Sequence, residues 1–294
     1  MNISRKMKYP KKNIFSFLLF FAAVVAPAPA QICGEAINAD DLAFGPGETL
    51  NYSIMYSAAV FRTDIADIEI RTSSDKIGST DCYQIYGRGK TRPFYSVFFD
   101  MEDIYISWLE KSTLRPVRMT SELKEGGYRY RQAFDYDWDN MNVHTMGQNI
   151  KRERTYLKDM TLLPCSYDAL ALFYNMRSNH EVFKMKSGDK LTLDLVLEDT
   201  IRSVQLRFMG KEKKKVEGLG EFNTLKYGCQ IATSSDESFE DGSEFFIWLT
   251  DDKNRIPVHL ETPIRVGKVT VRLSGWSDLK HPFESVVINT SRRR

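Results

Sequence analysis

The stretch YISWLEKSTLRPVRM, beginning at Tyr105, is echoed by FFIWLTDDKNRIPVHL, beginning at Phe245. Each holds an Ile, a Trp-Leu pair, a run rich in charge, an Arg, a Pro and a Val. One echo can arise by chance, whereas a tandem repeat recurs at many points with a single offset. Trp108 and Trp248 are 140 residues apart, as are Arg115 and Arg255. Pro116 and Pro257, Val117 and Val258, Glu48 and Asp189, and Gly126 and Gly267 are each 141 apart. Cys82 and Cys229, 147 apart, join the series only with a small insertion in the second copy. The chain therefore reads as two copies, 44–140 and 185–278, joined by a segment of different character.

Each copy has the pattern of a β meander. Leu50, Tyr52, Ile54 and Tyr56 alternate with Asn51, Ser53, Met55 and Ser57. Leu191, Leu193, Leu195 and Leu197 alternate in the same way with Thr192, Asp194, Val196 and Glu198. Period-two alternation marks a strand with two unlike faces. Ile68 and Ile70, then Val204, Leu206 and Phe208, continue the rule. Ile104, Ile106 and Trp108 share one face of a later strand. The turns EKSTLRP and TDDKNRIP are rich in turn formers, and Pro116 and Pro257 stand at strand starts, where a missing N–H is tolerated. Five or six antiparallel strands per copy, about eleven in all, are expected.

The joining segment, about 160–180, is helical in pattern. In LPCSYDALALFYNMRSN, Pro164 precedes Ser166 as N-cap, and Ala169, Leu172, Phe173 and Met176 fall on one face. Arg177 suits the C-terminal end of the helix dipole and Asn179 a left-handed stop. A helix over 166–178 must cover something, and the concave side of a sheet is the expected partner. The fold expected is mainly β: duplicated meanders forming one strongly curved sheet or open half-barrel around this helix. A two-sheet β-sandwich is the alternative.

The chain opens with five Lys/Arg in MNISRKMKYPKKN, a 13-residue run from Ile14 to Ala26 that is apolar but for Ser16, and PAPAQ. A basic start, a short apolar core and a small-residue exit describe a secretory signal peptide over 1–30, cleaved near Ala30. The expected destination is the periplasm or cell envelope, with 31–43 as a lead-in and 44–294 as one β domain. Ile32 before Cys33 argues against lipid attachment. Cleavage leaves 36 basic residues against 39 acidic ones, a net charge of about −3, which disfavours nucleic acid as a partner. Cys33, Cys82, Cys165 and Cys229 allow three pairings in an oxidising compartment.

At FGPGETLNYSIMY, SYDALALFYNMRS and FFIWLTDDKNRIPVHLETPIRVGKVTVRLSG the chain resembles the exported bacterial proteins grouped as domain of unknown function 3108. The resemblance spans roughly 44–276. It implies an envelope protein rich in β structure, without established activity or catalytic residues to carry over.

The residues themselves offer little chemistry. His144, His180, His259 and His281 stand apart from one another, and no G-x-S-x-G surrounds a Ser. The acidic run DESFEDGSEFF lacks the ligand spacing of a calcium loop. No metal, cofactor or catalytic residue is expected. The excess of aromatics is the remaining signal. Tyr52, Tyr95, Phe98, Trp108, Tyr130, Phe173 and Trp248 are the expected lining of a ligand cleft inside the curved sheet. A lipid or lipidated precursor is the ligand class that such a lining favours; the alternative is an assembly factor that binds envelope protein or glycan.

Overall fold

The computed structural model describes residues 33–232 and 244–287. The apolar leader, the acidic run at 233–243 and the basic tail lie outside the described residues. The first copy forms β1 (Thr49–Ala58), β2 (Phe61–Ile77), β3 (Thr80–Thr91), a short helix α1 (Pro93–Ser96), β4 (Met101–Glu110), β5 (Pro116–Glu125) and β6 (Tyr128–Asp137). Then come β7 (Asn142–Asn149), β8 (Arg154–Thr161), β9 (Ser166–Tyr167), and the helices α2 (Ala169–Ser178) and α3 (His180–Lys184). The second copy forms β10 (Lys190–Val196), β11 (Ile201–Val216), β12 (Gly220–Ile231), β13 (Phe245–Thr250), β14 (Pro257–Pro263) and β15 (Lys268–Ser277).

All fifteen strands of the described residues belong to one sheet, in the order β8 to β1, then β15 down to β9. The sandwich alternative is thereby excluded, and the expected eleven strands become fifteen. The two six-stranded meanders meet where β1, the first strand, pairs antiparallel with β15, the last. The sheet stays open between β8 and β9, yet it curls strongly. Helix α2 touches β3 and β4 on one side and β9 and β10 on the other. The turn after β10 reaches β7 and β8, where Thr145 Oγ1 donates to the Glu198 carbonyl at 2.7 Å.

The likeness of the two copies extends to backbone detail. Gly47 N–H donates to the Thr72 carbonyl and Thr72 N–H to that of Glu48; Gly188, Phe208 and Asp189 repeat the arrangement. Gly47 and Gly188 both take left-handed φ, 100° and 95°, which glycine adopts without steric cost. The same register shift follows Trp108 and Trp248. Two sequence correspondences need correction. Glu110 N–H binds the Arg115 carbonyl, whereas Thr250 N–H binds that of Ile256, so Arg115 matches Ile256 rather than Arg255. The second turn is one residue longer. Cys82 pairs with Glu110 two positions past Trp108, while Cys229 pairs with Phe245 three positions before Trp248, so these thiols are not equivalent.

The helix also departs from expectation. Ser166 and Tyr167 are extended and pair with β10, and Asp168 is the N-cap, accepting from Leu170 N–H and Ala171 N–H at 3.0 Å each. Asn179 has φ −75°, not a left-handed one, and caps α3 through Glu181 N–H. The face pressed inward holds Ala171, Tyr174, Asn175 and Ser178 with Met176 and Arg177; Ala169 is exposed, and Leu172 and Phe173 are half-buried. This rotation follows from Arg177, whose side chain is fully buried instead of lying at the solvated end of the helix.

Candidate functional site

Alternation assigns one face of every strand to the concavity. Gly87, Ile85 and Tyr83 of β3 point inward; a Cβ on Gly87 would rest 3.4 Å from Leu170 of α2. The register carries this face outward strand by strand, through Tyr105 and Ser107 of β4 to Ser121, Gln132 and Gly147.

The two ends of the half-barrel differ. At one end α2, the lead-in and the β13–β14 turn form a plug. Arg177 Nη1 and Nη2 donate to Glu48 Oε1 and Oε2 at 2.6 and 2.8 Å, with both side chains fully buried. The remaining guanidinium donors reach the Asn254 carbonyl at 3.2 and 3.0 Å and the Ala43 carbonyl at 3.4 Å. Tyr174 Oη donates to Glu48 Oε1 at 3.3 Å and accepts from Thr72 Oγ1 at 3.0 Å. A disulfide between Cys33 and Cys165 ties the lead-in to the segment before the helix; Cys82 and Cys229 are buried thiols. The equivalent of Glu48, Asp189, is exposed, so this lock belongs to one copy alone.

The opposite end is open and polar on one side. Tyr128, Tyr130, Asn149, Arg152, Arg154, Tyr156 and Lys158 line a cleft of about 460 Å³, walled by Glu198 and Asp199. The Tyr128 and Tyr130 rings stack, with centroids 5.6 Å apart and planes 14° apart. Tyr130 Oη bonds the Glu198 carboxylate, and Gln132 Nε2 donates to its other oxygen at 3.4 Å. Gly147 makes this possible, since a Cβ there would collide with both groups. Burial, and then the neighbouring Asp199, raises the Glu198 pKa. Next along the concave face, burial raises Asp103 and pushes Tyr105 up to about 12. The site can thus present a weakened acid, hydroxyls and guanidinium groups side by side on one wall of the cleft.

Between the plug and the cleft lies an apolar stretch. Leu170, Leu172 and Phe173 of α2 are half-buried against the core, as are Ile68, Leu195, Leu260 and Val271 of the sheet.

The expected lining residues separate into three groups. Tyr52, Tyr130 and Phe173 do face the concavity. Tyr52 is buried beneath the helix, its hydroxyl without a hydrogen-bond partner among the described residues. Trp108 and Trp248 do not: they face away from Leu109 and Leu249, on the outer surface. Trp108, half-exposed, donates Nε1–H to Asp75 Oδ2 at 2.8 Å, and Trp248 bonds the equivalent Glu212. Trp248 is only 4% exposed, because Lys214 lies 3.6 Å above its ring and His259 meets its edge. Tyr95 and Phe98 sit in and just after α1, outside the concavity; Phe98 is 80% exposed. Of the landmark residues, Pro116 and Pro257 begin β5 and β14 as expected. Arg115 lies 4.5 Å over the Trp138 ring, and Arg255 lies 3.5 Å over Phe183. Sequence reasoning placed Arg177 at the end of the helix but missed its burial against Glu48, and it missed Glu198 and the whole β7–β8 hairpin. Among the described residues no cluster of His, Cys, Asp and Glu could hold a metal.

The sequence matches the pattern of the family described as Protein of unknown function (DUF3108) over residues 51–274. The chain belongs to this family. No curated protein matches it. A DUF3108 chain of this shape also resembles a solved structure, a β-barrel-like protein of domain of unknown function DUF1849 from Brucella abortus. The two are 8% identical and superpose with a TM-score of 0.53, covering 80% of this chain and 99% of the other. At that identity the likeness concerns the fold.

Proposed function

We propose that this DUF3108 protein is an exported envelope protein that binds an amphipathic ligand, a lipid or lipidated precursor, without transforming it. The observation that carries the reading is the half-buried apolar face of α2. Leu170, Leu172 and Phe173 remain partly uncovered on the concave side while a charged residue of the same helix is driven into the core. An acyl chain would complete the burial of that face, at about 0.8 kcal/mol per methylene. The open cleft beyond it would hold the headgroup through Tyr128, Arg152 and Arg154. Concave sites of this kind, mostly apolar with a few convergent polar groups, are the usual form of small-molecule sites. The Cys33–Cys165 disulfide and the signal-like leader support export.

Native mass spectrometry of protein purified from its own host tests the reading. Bound lipid that is lost in Leu170→Asp, with the fold retained, is the expected result. Protein that is empty in every preparation and takes up no fluorescent fatty acid overturns it. The second reading is an assembly factor for envelope protein or glycan. Strand β8 favours it: an edge with nearly every residue exposed, which an extended peptide could join. A partner captured by ligand-free protein would select that reading.

A further inference from the structure

Three connections at the open end carry large apolar side chains into solvent. The β1–β2 turn offers Val60 and Phe61. The β3–β4 connection offers Phe94, Val97, Phe98 and Phe99. The β14–β15 turn offers Ile264 and Val266. Val97 is 84% exposed and Val60 wholly so. Single exposed apolar residues are ordinary, but a contiguous group marks an interaction surface.

These turns are neighbours in space. Tyr95 Oη contacts Thr63 Oγ1, which joins the α1 connection to the start of β2. Tyr56 Oη donates to the Val266 carbonyl at 3.2 Å, which joins the end of β1 to the β14–β15 turn. Gly267 lies so close to Ser57 and Ala58 that a Cβ there would strike the Ser57 carbonyl. The rim is therefore continuous across the seam between the two copies.

Its charge is one-sided. Residues 58–62, 93–99 and 263–268 contain Arg62, Arg265 and Lys268 and no Asp or Glu. Arg62 pairs with Glu217 and Lys268 with Glu261. Arg265, exposed between Ile264 and Val266, has no ion-pair partner among the described residues. Aromatic and aliphatic residues interleaved with cations are the composition of a surface that settles into the headgroup region of an anionic bilayer.

The geometry points to a membrane-docking rim: Val60, Phe61, Phe94, Phe98, Ile264 and Val266 enter the interface of an anionic lipid surface, with Arg265 at the headgroups. The half-barrel then stands with its open end toward the membrane. The rim does not require a ligand in the concavity, and its test is separate from that of ligand binding.

The test is co-sedimentation of the mature protein with vesicles of phosphatidylethanolamine and phosphatidylglycerol, and with vesicles of phosphatidylcholine alone. Binding to the anionic vesicles is expected. The double variant Phe94→Ser/Phe98→Ser should lower the partition coefficient at least about tenfold, and Arg265→Gln about fivefold on anionic vesicles only. Both sites are exposed, so unchanged thermal unfolding and unchanged bound ligand by native mass spectrometry are expected controls. A Phe98→Trp variant should gain emission that is quenched by brominated acyl chains. Wild-type protein left in the supernatant with both vesicle types overturns the proposal and assigns the rim to a protein partner. Binding without quenching in Phe98→Trp also overturns it, because another surface would then be the one that docks.

Discussion

Removing one member of the buried pair Arg177–Glu48 strands the other in a medium that solvates it poorly. In Glu48→Leu the Arg177 guanidinium keeps only the Asn254 and Ala43 carbonyls as acceptors. In Arg177→Met the Glu48 carboxylate keeps only the Tyr174 hydroxyl, and the Asn254 and Ala43 carbonyls lose their donor. With both side chains fully buried, loss of either is expected to cost about 3–5 kcal/mol. For a domain of this size that corresponds to a fall in Tm of about 10 °C. Replacing both at once, Glu48→Leu with Arg177→Met, removes the stranded charge as well as the attraction. Ion pairs exchanged for apolar residues of similar size are often neutral or better. The double variant should therefore be more stable than either single one, with a coupling of several kcal/mol in the double-mutant cycle. Guanidinium unfolding followed by tryptophan fluorescence, with all four proteins at one pH, measures it. Single losses below about 1 kcal/mol, or additive effects, would refute the claim that this pair anchors the helix to the closed end.

Two buried groups should make the pH profile nearly level by opposing one another. Burial raises Asp168 to about 6, above its unfolded value of about 3.9, so from about pH 4 to 6 the folded state holds more protons and stability falls as pH rises, by about 3 kcal/mol. Burial lowers His259 to about 4, below its unfolded value of about 6.5, so over the same window the unfolded state holds more protons and stability rises with pH, by about 2 kcal/mol after allowance for its partial exposure. Asp168→Asn should expose the rising slope and His259→Gln the falling one; variants with profiles parallel to wild type would refute both. The paired tryptophans should prove unequal: Trp248→Ala is expected to cost about 3–5 kcal/mol and half-exposed Trp108→Ala about 1, measured by the same unfolding assay, and equal losses would contradict their different cover.

Period-two alternation made most of the fold legible, because each core strand has one apolar face. It also showed that Trp108 and Leu109 face opposite ways. It does not say which face is concave: large aromatics favour an inward place, whereas Lys214 and Lys226 cover the Trp248 ring on the outside. Strands β7 and β8 carry only a weak apolar signal, because Thr145, Gly147, Asn149, Arg154 and Lys158 of their inward face line a polar cleft together with Tyr156, and only Val143 and Met160 reach the core. The helix rotation depended on Arg177 finding Glu48, 129 residues away in sequence, and no local pattern records such a meeting. The mismatched Arg115 and Arg255 came from a single added residue in a turn, which a constant offset hides. Of the candidate site, Tyr130 and Phe173 were legible as aromatics on the right elements, whereas Glu198 owes its role to a turn brought over from the far copy.

The pairing of β1 with β15 has a consequence for biogenesis. A strand that emerges early from the ribosome must wait for the last one before one of its margins is covered. Until then the first meander has an unpaired border of ten residues, Thr49–Ala58, open to any other extended chain. Truncation anywhere before Lys268 should therefore yield an aggregating product rather than a smaller stable protein, and a chaperone that shields this border during synthesis or export would have a defined stretch to hold.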